Sequence, residues 1–296
     1  MRKPASLPTP MRRVQLASPG ISPFITQKPP AMFSFKQLAL GSLLALLLCC
    51  SPPAQAQTQP SAKGVKNVVF VHGAYADGSC WAQVIALLQA RGLNVLSVQN
   101  PMLSMADDIA ATRRALALMD GPVLLVGHSS AGMVITEVGT DPKVAGLFYV
   151  SALIPKEGQS IVDVVAGHSA PGNAEVREDA SGFLSLTLKG MNENFAQDVP
   201  AAERKVMFAT QVPWVKTYTT EKVTAAAWKT KPSWCIISGL DRSIDPELER
   251  AEAKMIKATT LELKASHVSM VSQPKKVADF IMEATQKLPV SLATTR

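Results

Sequence analysis

The chain has 296 residues, 47% of them apolar, and a formal net charge of +7. The charge sits at one end. Residues 1–56 hold six basic residues and no acidic one, and taking those six from the 30 basic residues leaves 24 against 23 acidic ones. A body so close to neutral excludes the electrostatic footprint of a nucleic-acid binder.

Residues 1–56 read as a processing segment. Lys36 precedes an apolar run of eleven residues, 38–48, too short for the ~20 that cross a bilayer. Cys49, Cys50, Ser51, Pro52 and Pro53 break the run. Ala54-Gln55-Ala56 then matches the pattern at which signal peptides are cut. A signal that starts at Met32 and is cut after Ala56 has 25 residues and makes residues 1–31 an upstream extension. The expected destination is the periplasm or the exterior, with no membrane attachment after cleavage. Arg12-Arg13 lies far from the run for a twin-arginine signal. Leu47-Leu48-Cys49 lacks the small residue of a lipidation site. Residues 57–296 fit one domain. They keep Cys80 and Cys235, which are expected to be free, because Cys235 falls in the apolar stretch SWCIIS.

In residues 66–153 short apolar runs alternate with helical patterns. KNVVFV (66–71) is a buried-strand signal, and 81–92 has helical spacing with Gly92 as its stop. Residues 93–99 form the next strand. Residues 105–121 form a helix with Asp107 and Asp108 in its first turn, where the dipole favours them. Strand 123–127, helix 130–139 and strand 144–153 follow. Continuous apolar runs alternating with helices predict a mostly parallel sheet covered on both faces. From residue 154 to 231 that alternation stops, and prolines, polar clusters and helical patches take over. It returns with strand 233–239, a helix from Asp245-Pro246 to Lys257, strand 259–265 and a closing helix at 273–287. The expected organisation is a core of residues 57–153 and 232–296, with a helical cap, 154–231, inserted after residue 153.

Two stretches match Gly-x-Ser-x-small, and context separates them. Gly167-His168-Ser169-Ala170-Pro171 lies in the cap with no strand before it, and reads as a turn. Gly127-His128-Ser129-Ser130-Ala131 lies where a strand meets a helix, the context of a nucleophile elbow. There a strained backbone lifts the Ser129 hydroxyl clear, and small neighbours let strand and helix approach. Ala131 stands where a second glycine is usual, and Gly132 follows. A serine nucleophile needs a base. Of the four histidines, His72 ends the first strand, His128 points away from its neighbour Ser129, and His168 lies in the cap. His267 follows the last strand, on the sheet edge where sites form. Asp241, after strand 233–239, is the candidate to orient it. Asp245 reads as a helix N-cap before Pro246, and Glu157 is a further alternative. The oxyanion donors are expected to be the backbone N–H groups of Ala74 and Ser130. Tyr75 is a pocket or packing residue, and Trp81 is expected in the core. The histidines show no metal-ligand spacing, so no metal is expected.

VHGAYADGSCW, GHSSAG, GLDRSIDPELE and SHVSM together resemble the α/β-hydrolase fold family over residues 65–288, in particular the subgroup of plant methylesterases and hydroxynitrile lyases with their bacterial relatives. The resemblance implies Ser129 as nucleophile, His267 as base, Asp241 as its partner, and no cofactor. A lyase of that subgroup carries lysine directly after the histidine. Val268 stands here, which favours ester hydrolysis. The expected activity is cleavage of small carboxylic esters through an acyl-enzyme. Perhydrolase, amidase, lactonase or lyase use of the same three residues, or a ligand-binding role on the same scaffold, are the alternatives.

Overall fold

Alternation along a strand decides which layer each side chain joins, and this chain exploits it on both faces of one sheet. The structure, a computed structural model, describes residues 64–290. The expected signal peptide, its cleavage site, the upstream extension and the last six residues lie outside the described residues. The first half of the core runs β1 (Asn67–Val71), α1 (Ala82–Gln89), β2 (Asn94–Val98), α2 (Met105–Ala117), β3 (Val123–His128), α3 (Ala131–Val138) and β4 (Val144–Val150). The segment between the two halves holds α4 (Ile161–Val164), β5 (Val176–Glu178), β6 (Phe183–Leu186), α5 (Leu188–Gly190), α6 (Ala201–Thr210) and β7 (Trp214–Val215). The chain closes with β8 (Ser233–Ser238), α7 (Pro246–Met255), β9 (Thr259–Leu263), α8 (Ser269–Ser272) and α9 (Pro274–Lys287).

The main sheet among the described residues has six strands in the order β2-β1-β3-β4-β8-β9, all parallel. The four inner strands are wholly buried, while β2 and β9 are partly exposed edges. Val69, Leu125, Tyr149 and Cys235 face one layer with Met133, Leu116 and Leu248 of the helices. Val68, Leu124, Phe148 and Trp234 face the other, with Leu88 and Ile281. Continuous apolar strands are what a sheet covered on both faces requires. Ser104 caps α2 by accepting from the Asp107 N–H, and Asp245 caps α7 with Pro246 at its first position.

The inserted segment differs from the helical cap that its patches predict. It holds short helices and also a three-stranded antiparallel sheet, β5-β6-β7. These strands have three, four and two residues, too few for an alternation to register in the sequence. Their hairpin turns at Asp179, whose side chain accepts from the Ser181 and Phe183 N–H groups. Cys80 and Cys235 are both free, as their surroundings predict.

Candidate active site

Ser129 sits between β3 and α3 with φ of +57°, a left-handed conformation rare for a residue with a side chain. Such a backbone costs about 1–3 kcal/mol. It is held by the Ser129 N–H donating to Val150 O, and by Ser129 O accepting from the N–H groups of Gly132 and Leu153. The close approach falls at Gly132, where an added Cβ would collide with the Leu153 carbonyl. Ala131 is buried without such a clash, which explains why the second glycine can be one position late. Gly132→Ala is expected to cost about 3 kcal/mol as overpacking against backbone. That corresponds to a melting point lowered by roughly 6–12 °C in a domain of this size, read by circular dichroism. An unchanged melting point would mean that the turn moves aside freely.

The structure brings Ser129, His267 and Asp241 together from three loops at one edge of the sheet. His267 Nε2 lies 2.8 Å from Ser129 Oγ. His267 Nδ1 lies 2.5 Å from Asp241 Oδ2. The other Asp241 oxygen accepts from the Ser243 and Ile244 N–H groups at 2.7 and 3.0 Å, so the carboxylate cannot rotate away. The Gly239 and Leu240 N–H groups donate to Leu263 O and Ala265 O and lock the Asp241 loop to the His267 loop. Behind them Glu249 is buried and accepts from the Ser238 N–H. Burial first, then the Asp241 charge, pushes its carboxyl well above the usual carboxylate range.

Asp245 caps α7, as its place before Pro246 predicts, and it also bonds His168. Glu157 is exposed and pairs with Lys229 at 3.0 Å, away from His267. Ser169 is exposed and lies just past the turn at Ala166-Gly167. Trp81 is fully buried, its ring 4.5 Å from Phe70. Tyr75 lines the cavity, with φ of +61°.

Two histidines gain roles that no local signal announces. His128 does turn away from Ser129, and its Nε2 meets the backbone carbonyl of His267 at 3.0 Å. Burial holds its imidazole well below the ordinary value, with the His267 charge adding to the effect. A neutral ring therefore donates Nε2–H to that carbonyl, fixing the His267 backbone. His72 Nε2 accepts from the Asn100 N–H at 2.9 Å, so Nδ1 carries the hydrogen and donates to Gly73 O at 3.0 Å. His72 thereby pins the loop that carries Ala74. The Ala74 N–H itself donates to Ser130 Oγ at 2.9 Å. The Ser130 N–H lies at the start of α3, where helix geometry supplies no carbonyl for it.

A cavity of about 330 Å³ opens on Ser129 and His267. Leu153, Val165, Leu184, Leu186, Phe195 and Trp214 are part of its apolar wall, and all but Leu153 belong to the inserted segment. Phe195 also packs on the His267 ring at 5.0 Å. A mostly apolar cavity with a few convergent polar groups is the usual form of a small-molecule site.

A family model described as "Alpha/beta hydrolase family" matches residues 68–280. The chain belongs to the alpha/beta hydrolase family. Among curated relatives it is 36% identical over 112 residues to the "Carbendazim hydrolyzing esterase" of Nocardioides sp., covering 32% of this chain and 46% of that protein. It is 35% identical over 107 residues to the "Pyrethroid hydrolase" of Sphingobium wenxiniae, covering 32% and 38%. The chain thus spans less than half the length of these two relatives. A solved pyrethroid hydrolase superposes with a TM-score of 0.66 at 22% identity, covering 75% of this chain and 98% of that one. Tomato methylketone synthase I superposes at 0.64 with 18% identity, covering 76% and 99%. These likenesses show the hydrolase fold.

Proposed function

We propose that this hydrolase is a serine esterase that cleaves small carboxylic esters through an acyl-enzyme. The observation that carries the reading is the unbroken line of hydrogen bonds from Asp241 through His267 to the Ser129 hydroxyl, opening on an apolar cavity. The names of the two esterase and hydrolase relatives support it.

In this reading Ser129 Oγ attacks the ester carbonyl carbon, and its proton passes to His267 Nε2. The carbonyl π pair moves onto oxygen. The N–H groups of Ala74 and Ser130 stabilise that oxyanion. The Asp241 carboxylate stabilises the imidazolium and keeps its Nδ1 protonated. Collapse expels the alcohol, which takes the proton from His267 Nε2. A water then gives its proton to His267 and attacks the acyl carbon, releasing the acid and restoring Ser129. None of these steps needs a metal or a cofactor. The apolar run 38–48 and the Ala54-Gln55-Ala56 pattern support an exported enzyme.

The test is hydrolysis of p-nitrophenyl esters from acetate to decanoate, together with labelling by a fluorophosphonate. Turnover with stoichiometric label on Ser129 is the expected result. A folded protein that does neither would leave a binding role on the hydrolase scaffold.

The resting site makes one further demand on the mechanism. The Ala74 N–H is occupied by Ser130 Oγ, so an arriving carbonyl must displace that hydroxyl. A hydrogen bond of this kind is worth about 1 kcal/mol net. Ser130→Ala is therefore expected to raise kcat/KM roughly fivefold, since it removes the competitor and keeps the backbone donor. A fall instead would assign the hydroxyl itself a share in holding the oxyanion.

A further inference from the structure

The loop 239–245 holds two carboxylates four residues apart, and each grips an imidazole. Asp241 holds His267. Asp245 Oδ2 holds His168 Nδ1 at 2.8 Å, while Asp245 Oδ1 accepts from the Glu247 N–H at 3.0 Å. Both imidazoles line the same cavity. The His168 bond, then the Glu247 N–H, keeps the Asp245 carboxyl below the usual carboxylate range. An ionised Asp245 obliges His168 Nδ1 to carry the hydrogen, and in that tautomer Nε2 offers a lone pair as acceptor. Nε2 has no protein partner among the described residues.

The cavity that both imidazoles line also carries apolar side chains, among them Ile161, Val165, Ala170, Val176 and Leu248. Both side chains of the His168–Asp245 pair stay partly exposed, at 32% and 27%. Other bonds already tie the inserted segment to this loop. The Gly172 N–H donates to Arg242 O at 2.7 Å, Arg242 Nε donates to Asn194 Oδ1 at 2.9 Å, and Ser243 Oγ donates to Asn194 O at 3.2 Å.

We propose that His168, oriented by Asp245, is a specificity-determining residue whose Nε2 accepts a hydrogen bond from a hydroxyl or N–H group that the ester carries away from its scissile carbonyl. The substrate class is then an apolar ester with one such donor. The proposal rests on the esterase reading above. The bond is present in ground state and transition state alike, so it acts on KM and leaves kcat nearly unchanged.

The test uses p-nitrophenyl phenylacetates and benzyl acetates, each unsubstituted, hydroxylated or methylated at ring positions 3 and 4. At least one hydroxylated ester is expected to exceed its methyl counterpart by roughly tenfold in kcat/KM, through KM. In His168→Phe that preference vanishes, the hydroxylated-to-methyl ratio falling to about one, while the melting point changes little. The proposal is overturned if no hydroxylated ester is preferred by the wild type, or if the preference survives His168→Phe. It is equally overturned if His168→Phe loses activity on all esters alike, which would make the pair a tether. Failure of the esterase reading looks different: no ester of either kind is turned over, and Ser129 takes no label.

Discussion

Ser129→Ala is expected to lower kcat on p-nitrophenyl acetate roughly 10⁴- to 10⁶-fold. The reason is chemical, since the variant has no atom to form the acyl bond. What survives is attack by water with the oxyanion donors and the cavity still in place. The fold should persist. Alanine meets the same left-handed backbone as serine, and among the described residues the Ser129 side chain bonds only to His267 Nε2, to which its hydroxyl donates. The measurement is steady-state hydrolysis beside fluorophosphonate labelling and a thermal melt. Near-unchanged turnover with an intact melt would end the acyl-enzyme reading.

The second large effect is electronic. Asp241→Asn should lower kcat about 10⁴-fold near neutral pH while leaving the fold intact. An asparagine amide still offers an oxygen to the Ser243 and Ile244 N–H groups, so it keeps its place in the loop. Its NH₂ then faces His267 Nδ1, which must become the acceptor. The hydrogen moves to Nε2, and Nε2 can no longer take the proton of Ser129. The rate of phosphonate labelling should fall by a similar factor, since labelling needs the same base. A loss of less than tenfold would place the orienting charge elsewhere, with Glu249 the nearest buried carboxyl to examine.

How much of this could be read beforehand follows from the range of each interaction. β1, β3, β4 and β8 are legible because a strand buried on both faces must be apolar at every position. The β5-β6-β7 sheet is not, because strands of two to four residues leave no period. Ser129 stands out because a strand, a two-residue turn and a helix are local facts. Asp241 and His267 can be singled out because parallel strands deliver their following loops to one edge.

The sequence by itself determined the covered parallel sheet, the interrupted core and the loops that hold Ser129, Asp241 and His267. Each rests on composition and period within a dozen residues. Only the tertiary structure decided that His128 grips the carbonyl of His267, 139 residues away, that His168 meets Asp245 across 77, and that the Ser130 hydroxyl occupies the Ala74 N–H across 56. These bonds depend on how loops and the inserted segment pack over the sheet. Polar side chains bond whatever partner that packing brings within about 3 Å, and no residue pattern along the chain encodes which partner that is.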